Sequence, residues 1–370
     1  MMIVCGKVNF TNLSRYSEIS ERSYRRQFQR SFNFIKSNAD LIKQVVPATA
    51  RQVIAIDCSF IPKSGKATYG IEHFYNGSAG RAEKGLEISV LAIVDVDAKQ
   101  GYTLSVQQTP PAKSIGVKTR IDDYLAHLQA TYPYLPTSSR YLVSDGFYTK
   151  LKWVDGVTAL NLDVIGKLRC DADLRYVYAG TQKLRGRPRK YDGKVDLTDL
   201  SRMTLVDELE PQLFLYSIVV WSLNLKRQIR LAYLLDCRPA GRTGGVLLFS
   251  TALDISPLDI LDFYKARFHI EFIFRDAKQF TGLTDCQARD FTKLDFHFNA
   301  SLMSLNLAKM EAVQLHKSSQ PFVFSMASYK RLAFNRHLLE RFISLLDLDP
   351  TLIKSHPNFP DLCSYGSIAS

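Results

Sequence analysis

Residues 141–150 read "YLVSDGFYTK": a short apolar run that stops on an aspartate followed by glycine. Such a run reads as a buried strand, and the Asp-Gly pair marks its end. Asp145 can there be a turn residue, a helix cap or a metal ligand, and the run leaves all three open. A second run of the same kind lies upstream. "RQVIAIDCSF", residues 51–60, is apolar and β-branched up to Asp57. If the two strands are neighbours in one sheet, both carboxylates emerge at the same edge. Close carboxylates repel, and a divalent cation with oxygen ligands relieves the repulsion. Mg²⁺ suits sparse carboxylate sites completed by water and phosphate.

Working outward, "LEISVLAIVDVDAKQGYTLSVQQTP", residues 86–110, predicts two strands around a turn at Lys99–Gly101. "VKTRIDDYLAHL", residues 117–128, has helical spacing, and "LDVIGKLR", residues 162–169, reads as a further strand. "HFYNGSAGRAEKG", residues 73–85, reads as a loop between strands. These elements predict an α/β core that begins with residues 51–169. Residues 170–250 differ in texture: the alternating runs "LFLYSIVVWSLNL", "QIRLAYLLDCRP" and "GGVLLFSTA" predict a mostly β segment inserted into that core. Helical texture returns over 251–315, completing the core, and continues through a C-terminal helical region, 316–370. Residues 1–50 are also helical and basic, with Arg22, Arg25, Arg26 and Arg30 interleaved with Tyr24, Phe28, Phe32 and Phe34. That pattern fits either a solvated helix face or contact with DNA.

The whole chain of 370 residues is 46% hydrophobic, enough for a substantial core. Its formal charge is 48 − 36 = +12, and its pI is near 9.3. Such a surplus favours polyanions, nucleic acid or an acidic membrane face. No apolar run approaches the roughly 18 residues of a spanning helix. The start, "MMIVCGKVNF", lacks the charged beginning and long apolar centre of a signal peptide. The expectation is an intracellular protein without membrane partners. Six cysteines at 5, 58, 170, 237, 286 and 363 form no Cys-x-x-Cys pair, so reduced thiols are expected rather than zinc or disulfides.

A third stretch carries charge in a narrow stripe. On a helix at about 100° per residue, Tyr264, Arg267, Glu271 and Lys278 of "YKARFHIEFIFRDAKQF" fall within roughly 60° of one another, with Arg275 close beside them. Ala266, Ile270, Ile273, Phe274 and Ala277 occupy a separate, apolar flank. A solvated salt-bridge face accounts for such a stripe, as does a carboxylate bracketed by cations and aimed at a ligand.

The segments around Asp57, Asp145 and Glu271 together resemble the three catalytic segments of Asp-Asp-Glu transposases of bacterial insertion sequences. The last matches the Y-x2-R-x3-E-x6-K signature of the insertion-sequence family 4 group, through Tyr264, Arg267, Glu271 and Lys278. The resemblance spans about residues 51–315. It implies a ribonuclease H-like catalytic core interrupted by a β insertion, and Asp57, Asp145 and Glu271 as catalytic residues. They would bind two Mg²⁺ ions, with Mn²⁺ able to substitute. It also implies phosphate contacts from Tyr264, Arg267 and Lys278, with Arg275 beside them, and end recognition by the N-terminal region. The implied activity is metal-dependent cleavage at the ends of an insertion sequence and strand transfer into target DNA, cut-and-paste, with or without a hairpin. The implied partners are double-stranded DNA, in the form of terminal inverted repeats and target, and a second copy of the chain in the synaptic complex. The implied location is the bacterial cytoplasm, at the nucleoid when bound. A transposase-derived DNA-binding protein without cleavage and a structure-specific nuclease of the same fold are the competing readings. Cys58 departs from the small or polar residue common after the first aspartate.

Two further signals point to DNA. "RGRPRKY", residues 185–191, resembles a minor-groove-binding arm, with Arg185, Arg187, Arg189 and Lys190 as phosphate or groove contacts, or else is a basic surface loop. Trp221 suits either an insertion aromatic stacking on a flipped base or a core position. Lys63 and Lys66 follow Asp57 in a loop that can approach DNA or stay solvated. His269 and His297 are assigned to no metal.

Overall fold

A computed structural model describes residues 1–111, 119–182, 184–238, 244–315 and 324–368. The opening of the expected C-terminal region, 316–323, lies outside them, as do residues 117–118 of the helical pattern. Strand β1 (Gln52–Pro62) organises the rest. It pairs antiparallel with β3 (Arg81–Asp95) along its whole length, from Gln52 opposite Asp95 to Pro62 opposite Gly85. On its other side it pairs parallel with β5 (Tyr141–Val143), setting Ile54 against Leu142 and Ala55 against Val143. Beyond these, β4 (Gln100–Gln108) is antiparallel to β3, and β6 (Asp163–Leu168) is parallel to β5.

β1 is buried on both faces from Gln52 to Ile56 because helices cover both sides, as parallel pairing demands. Alternation sorts its side chains. Ile54 and Ile56 pack with Leu91, Ile93 and Leu142 against α3 (Phe34–Val45), α4 (Arg120–Thr131) and α5 (Leu151–Thr158). Val53 and Ala55 pack with Val90, Ala92 and Val143 against α6 (Pro257–Ala266), α7 (Phe268–Asp276) and α8 (Phe291–Leu315). The result is a mixed α/β protein around one large mixed sheet.

Three sequence expectations are corrected. Asp57 does not close its strand: β1 runs five residues further, held by β3 after β5 has ended. Residues 73–85 are not a loop. β2 (Glu72–Asn76) and the start of β3 form a hairpin, Glu72 opposite Gly85 and Asn76 opposite Arg81. Its polar, glycine-rich tip masked the strand pairing on either side. The later hairpin turns slightly earlier than expected, with β4 already starting at Gln100.

Between β6 and α6 lie β7 (Leu174–Val177), β8 (Tyr191–Lys194), β9 (Thr204–Glu210), β10 (Leu213–Ser222), β11 (Arg227–Asp236) and β12 (Gly244–Ser250). β12 joins them to the rest by pairing antiparallel with β6, Leu247 opposite Leu168. The sheet therefore runs β2-β3-β1-β5-β6-β12-β11-β10-β7-β8, with β4 on β3 and β9 on β10. At the N-terminus, α1 (Phe10–Arg15) and α2 (Glu21–Gln27) precede α3, which is tied into the core by polar side chains. Asn38 donates to the Leu104 carbonyl, and Asn306 of α8 donates to Asn38 and to the Thr103 carbonyl. After α8 come α9 (Met326–Leu345), α10 (Pro350–Lys354) and α11 (Phe359–Ser364). No helix among the described residues is long and apolar enough to cross a membrane.

Gly101 sets how closely α7 approaches the sheet. A Cβ there would stand 3.1 Å from the Ile273 side chain and 3.3 Å from the His269 carbonyl oxygen. A side chain there would require α7 to give by a few tenths of an ångström.

Candidate active site

The parallel register of β1 and β5 carries Asp57 and Asp145 to equivalent positions, each two residues past the pair Ala55 and Val143. Chain direction is shared, so both carboxylates lie at the same end of the sheet. Asp145 lies just beyond β5 and caps a 3₁₀ turn, Gly146–Tyr148: its Oδ1 accepts the Phe147 N–H at 2.9 Å. The turn and cap readings of this residue are thus both realised, and its second oxygen is not used by the cap. Asp57 accepts the Cys58 N–H on Oδ1 at 2.8 Å.

Glu271 reaches this end on α7. The helix run starting at Pro257 is interrupted at Arg267, whose N–H bonds three residues back to the Tyr264 carbonyl. Arg267 is almost wholly buried, its side chain 9% exposed. One guanidinium nitrogen donates to Asp57 Oδ2 at 3.0 Å and the other to Glu271 Oε1 at 3.0 Å. Its planar fork suits two acceptors held at a fixed angle. Its Nε is buried without a partner among the described residues.

Electrostatics confirm the crowding. Burial pushes the Asp57 carboxyl up to about 6; Arg267 and the Cys58 N–H oppose that, while the charges of Asp145 and Glu271 add to it. Burial alone would lower the Arg267 pKa, but Asp57, Tyr264, Glu271 and Asp145 raise it overall. Burial likewise raises Tyr264, against the pull of Arg267. Tyr264, Arg267, Asp57, Asp145 and Glu271 are therefore one electrostatic group. Among the described residues, no three His, Cys, Asp or Glu side chains converge closely enough for a single metal ion. The cation between Asp57 and Glu271 is Arg267.

The transposase DDE domain family matches residues 48–307, well over half of the chain. The chain belongs to this family. It is a transposase, and DNA is what transposases act on. The matched span includes all three carboxylates and the strands β7 to β12 between them. No curated protein matches the chain.

Other side chains of the transposase singled out from sequence lie apart from this group. Lys278 falls in a π-helical turn, Ala277–Thr281. It lines a cleft of about 620 Å³ with Lys7, Lys330 and Arg331, and burial lowers its pKa. Arg275 pairs with Asp276 and covers the Phe272 ring at 4.8 Å. The residues of "RGRPRKY" lead into β8, the sixth strand from β5 along the sheet. Arg185 and Arg187 are exposed. Arg189 is tied to Asp192 and stacks on Tyr178, and Lys190 covers Trp221 at 5.3 Å. Trp221 is half-buried on β10, and the tryptophan fully in the core is Trp153. Lys63 is held by the Cys286 carbonyl, while Lys66 stays exposed. His297 is buried and bonded to the Gly282 carbonyl at 2.8 Å.

Sequence reading passed over what lies on the opposite face of β1. Cys58 Sγ stands 3.3 Å from the Tyr148 hydroxyl, which belongs to the turn that Asp145 caps. Tyr148 packs on Tyr124, whose hydroxyl donates to the buried Glu87 at 2.7 Å. The residue after the first aspartate thus touches the third residue after the second. The signal was the tyrosine of "DGFY", whose partner no spacing rule reveals.

Proposed function

We propose that this transposase cuts and joins DNA phosphodiester bonds at the ends of an insertion sequence, with Asp57, Asp145 and Glu271 as its catalytic carboxylates. The observation that carries this reading is the equivalence of Asp57 and Asp145 on parallel neighbours, with Glu271 linked to Asp57 through Arg267. The strand order β4-β3-β1-β5-β6, antiparallel up to β1 and parallel from it, supports a ribonuclease H-like core. Strands β7 to β12 then form an insertion over 170–250. Residues 1–50 are the end-recognition region, 51–169 and 251–315 the core, and 316–370 the C-terminal region.

The donor chemistry fits Mg²⁺, or Mn²⁺ in its place. The donors are all carboxylate oxygens, at a sheet end where burial drives Asp57 upward and the charges of Asp145 and Glu271 add to it. Asp57, Asp145 and Glu271 would hold the ions. Bound there, they supply activation of a water or a 3′-hydroxyl and stabilisation of the leaving oxygen in an in-line displacement. The chain's own cations do the positioning. Arg267 holds Asp57 and Glu271 in place and, with Tyr264, borders the place of the phosphate oxygens of the bound strand. Cleavage is followed by strand transfer, with a hairpin as one route, in a dimer that pairs the terminal repeats.

Cleavage of a labelled duplex carrying the flanking genomic ends tests this, with Mg²⁺ and with chelator. Metal-dependent nicks at the boundary, absent in Asp145→Ala and Glu271→Ala while DNA affinity persists, are the expected result. Binding without any cut by the parent overturns the reading in favour of a DNA-binding protein. Cuts without joining favour a nuclease.

A further inference from the structure

The cleft that Lys278 lines gathers four cations from three separate parts of the chain. Lys7 comes from the N-terminal segment, Lys278 from the π-helical turn after α7, and Lys330 and Arg331 from α9. Among the described residues, none of the four forms an ion pair. The one carboxylate lining the cleft, Asp285, accepts the Val8 N–H on Oδ2 at 2.8 Å. Lys330 donates to the Phe280 carbonyl at 2.7 Å, which fixes its ammonium at the wall. Burial lowers the pKa of Lys278, and lowers that of Lys330 against the pull of Cys5 and Asp285. Lys7 and Arg331 are exposed, so packing does not hold them there. Like charges drawn together and partly stripped of water repel, and an anion between them removes that cost.

We infer that this cleft binds a nucleoside diphosphate or triphosphate, its linked phosphates held by Lys7, Lys278, Lys330 and Arg331. A backbone phosphodiester of DNA carries one charge, and its neighbours follow along the strand rather than gathering in one place. Four cations lining one cleft match two or three linked phosphates instead. An arginine fork beside lysine point charges suits their oxygens. The cleft, about 620 Å³, is of the size that encloses a small molecule. Val4, Phe280 and Phe334 supply apolar walls for a flat base. A ligand held there ties the N-terminal segment to α9 and to the turn that extends α7. Such a site is independent of the catalytic assignment of Glu271.

The test uses the full chain in EDTA, so that no metal can carry a nucleotide to the carboxylates. ADP with a fluorescent methylanthraniloyl label reports binding, and ATP, tripolyphosphate, adenosine and a blunt DNA duplex are the competitors. The parent is expected to bind the labelled ADP and to release it to ATP and tripolyphosphate, but not to adenosine or to the duplex. Lys7→Ala and Arg331→Ala are each expected to weaken binding about tenfold, the worth of one charge-assisted hydrogen bond. Arg331→Lys, which keeps the charge, should recover part of that loss, and urea unfolding of all three should match the parent. Asp145→Ala is expected to bind as the parent does. No binding by the parent overturns the inference, as does unchanged binding in the Lys7→Ala/Arg331→Ala double variant or loss of binding in Asp145→Ala. Release by adenosine as readily as by ATP removes the phosphates from the site and overturns it too. Displacement by the duplex, with duplex affinity falling in the double variant, overturns it in favour of the DNA backbone. Cleavage of DNA by a parent that binds no nucleotide sinks this site alone.

Discussion

Arg267 and Asp57, 210 residues apart in the chain, form an ion pair at 3.0 Å with side chains only 9% and 20% exposed. The same guanidinium holds Glu271, and burial acts against the charges of Asp57 and Arg267. Removing the cation leaves a buried carboxylate uncompensated, which destabilises more than the pair itself contributes. Arg267→Ala is expected to lower the unfolding free energy by about 3 kcal/mol at pH 7. Adding Asp57→Asn should recover most of that loss. Urea unfolding of the single and double variants measures it, and additive losses would show that the two residues are not coupled.

Tyr148 links the turn behind Asp145 to Cys58 behind Asp57. Tyr148→Phe keeps the packing against Tyr124 and Trp153 and removes only the hydroxyl. Stability is expected to fall by about 1 kcal/mol or less. Cleavage is expected to fall roughly tenfold, because partners behind metal-binding carboxylates set their orientation. Cys58→Ser, which retains a hydrogen-bonding group, should stay near the parent. Loss of rate in strict proportion to loss of folded protein would reduce the contact to packing.

Acid is expected to weaken the fold through His127. Its Nε2 lies 2.8 Å from the Ser105 hydroxyl and its Nδ1 3.0 Å from that of Ser89, and burial lowers its pKa to about 3. The folded state therefore binds fewer protons than the unfolded state between about pH 3 and the ordinary value near 6.5. Stability from this group is complete above that range and declines as pH falls through it. Between pH 7 and 5 the loss is roughly 2 kcal/mol. His127→Gln, which cannot titrate, should flatten that part of the profile in urea unfolding. His297 is lowered the same way, to about 4, and remains in both proteins, so the difference isolates His127.

The buried amides joining α3, β4 and α8 bind the N-terminal region to the core. Asn306 accepts the Thr103 N–H at 3.0 Å and donates to Asn38 and to the Thr103 carbonyl. Asn306→Leu leaves those groups without partners and is expected to destabilise the whole protein by about 3 kcal/mol. Hydrogen exchange should show protection lost from β1 and β4 as well as from α3. Loss confined to α3 would mean that the N-terminal helices unfold independently.

Arg185 and Arg187 are exposed on the loop before β8, the sixth strand from β5 along the sheet. Arg185→Ala and Arg187→Ala are each expected to reduce the salt dependence of duplex binding by about one unit of slope, and to leave the rate of cleavage at saturating DNA near the parent value. An unchanged slope would leave this loop as a solvated surface.

The sequence by itself determined the strands and helices that carry the three carboxylates, because burial on both faces writes "VIAI" and "YLV" as unbroken apolar runs. It also determined the family, since the transposase DDE domain match over residues 48–307 is a match of sequence. Tertiary structure alone decided that Asp57 and Asp145 share an edge, because parallel register is a property of two strands brought together across more than eighty residues. It decided as well that Arg267, four residues before Glu271, also reaches Asp57, and that Cys58 meets Tyr148, long-range contacts that leave no periodic trace. And it set Lys278 in a π-helical turn beside Lys7, Lys330 and Arg331, a change of winding and a grouping that the residue pattern does not announce.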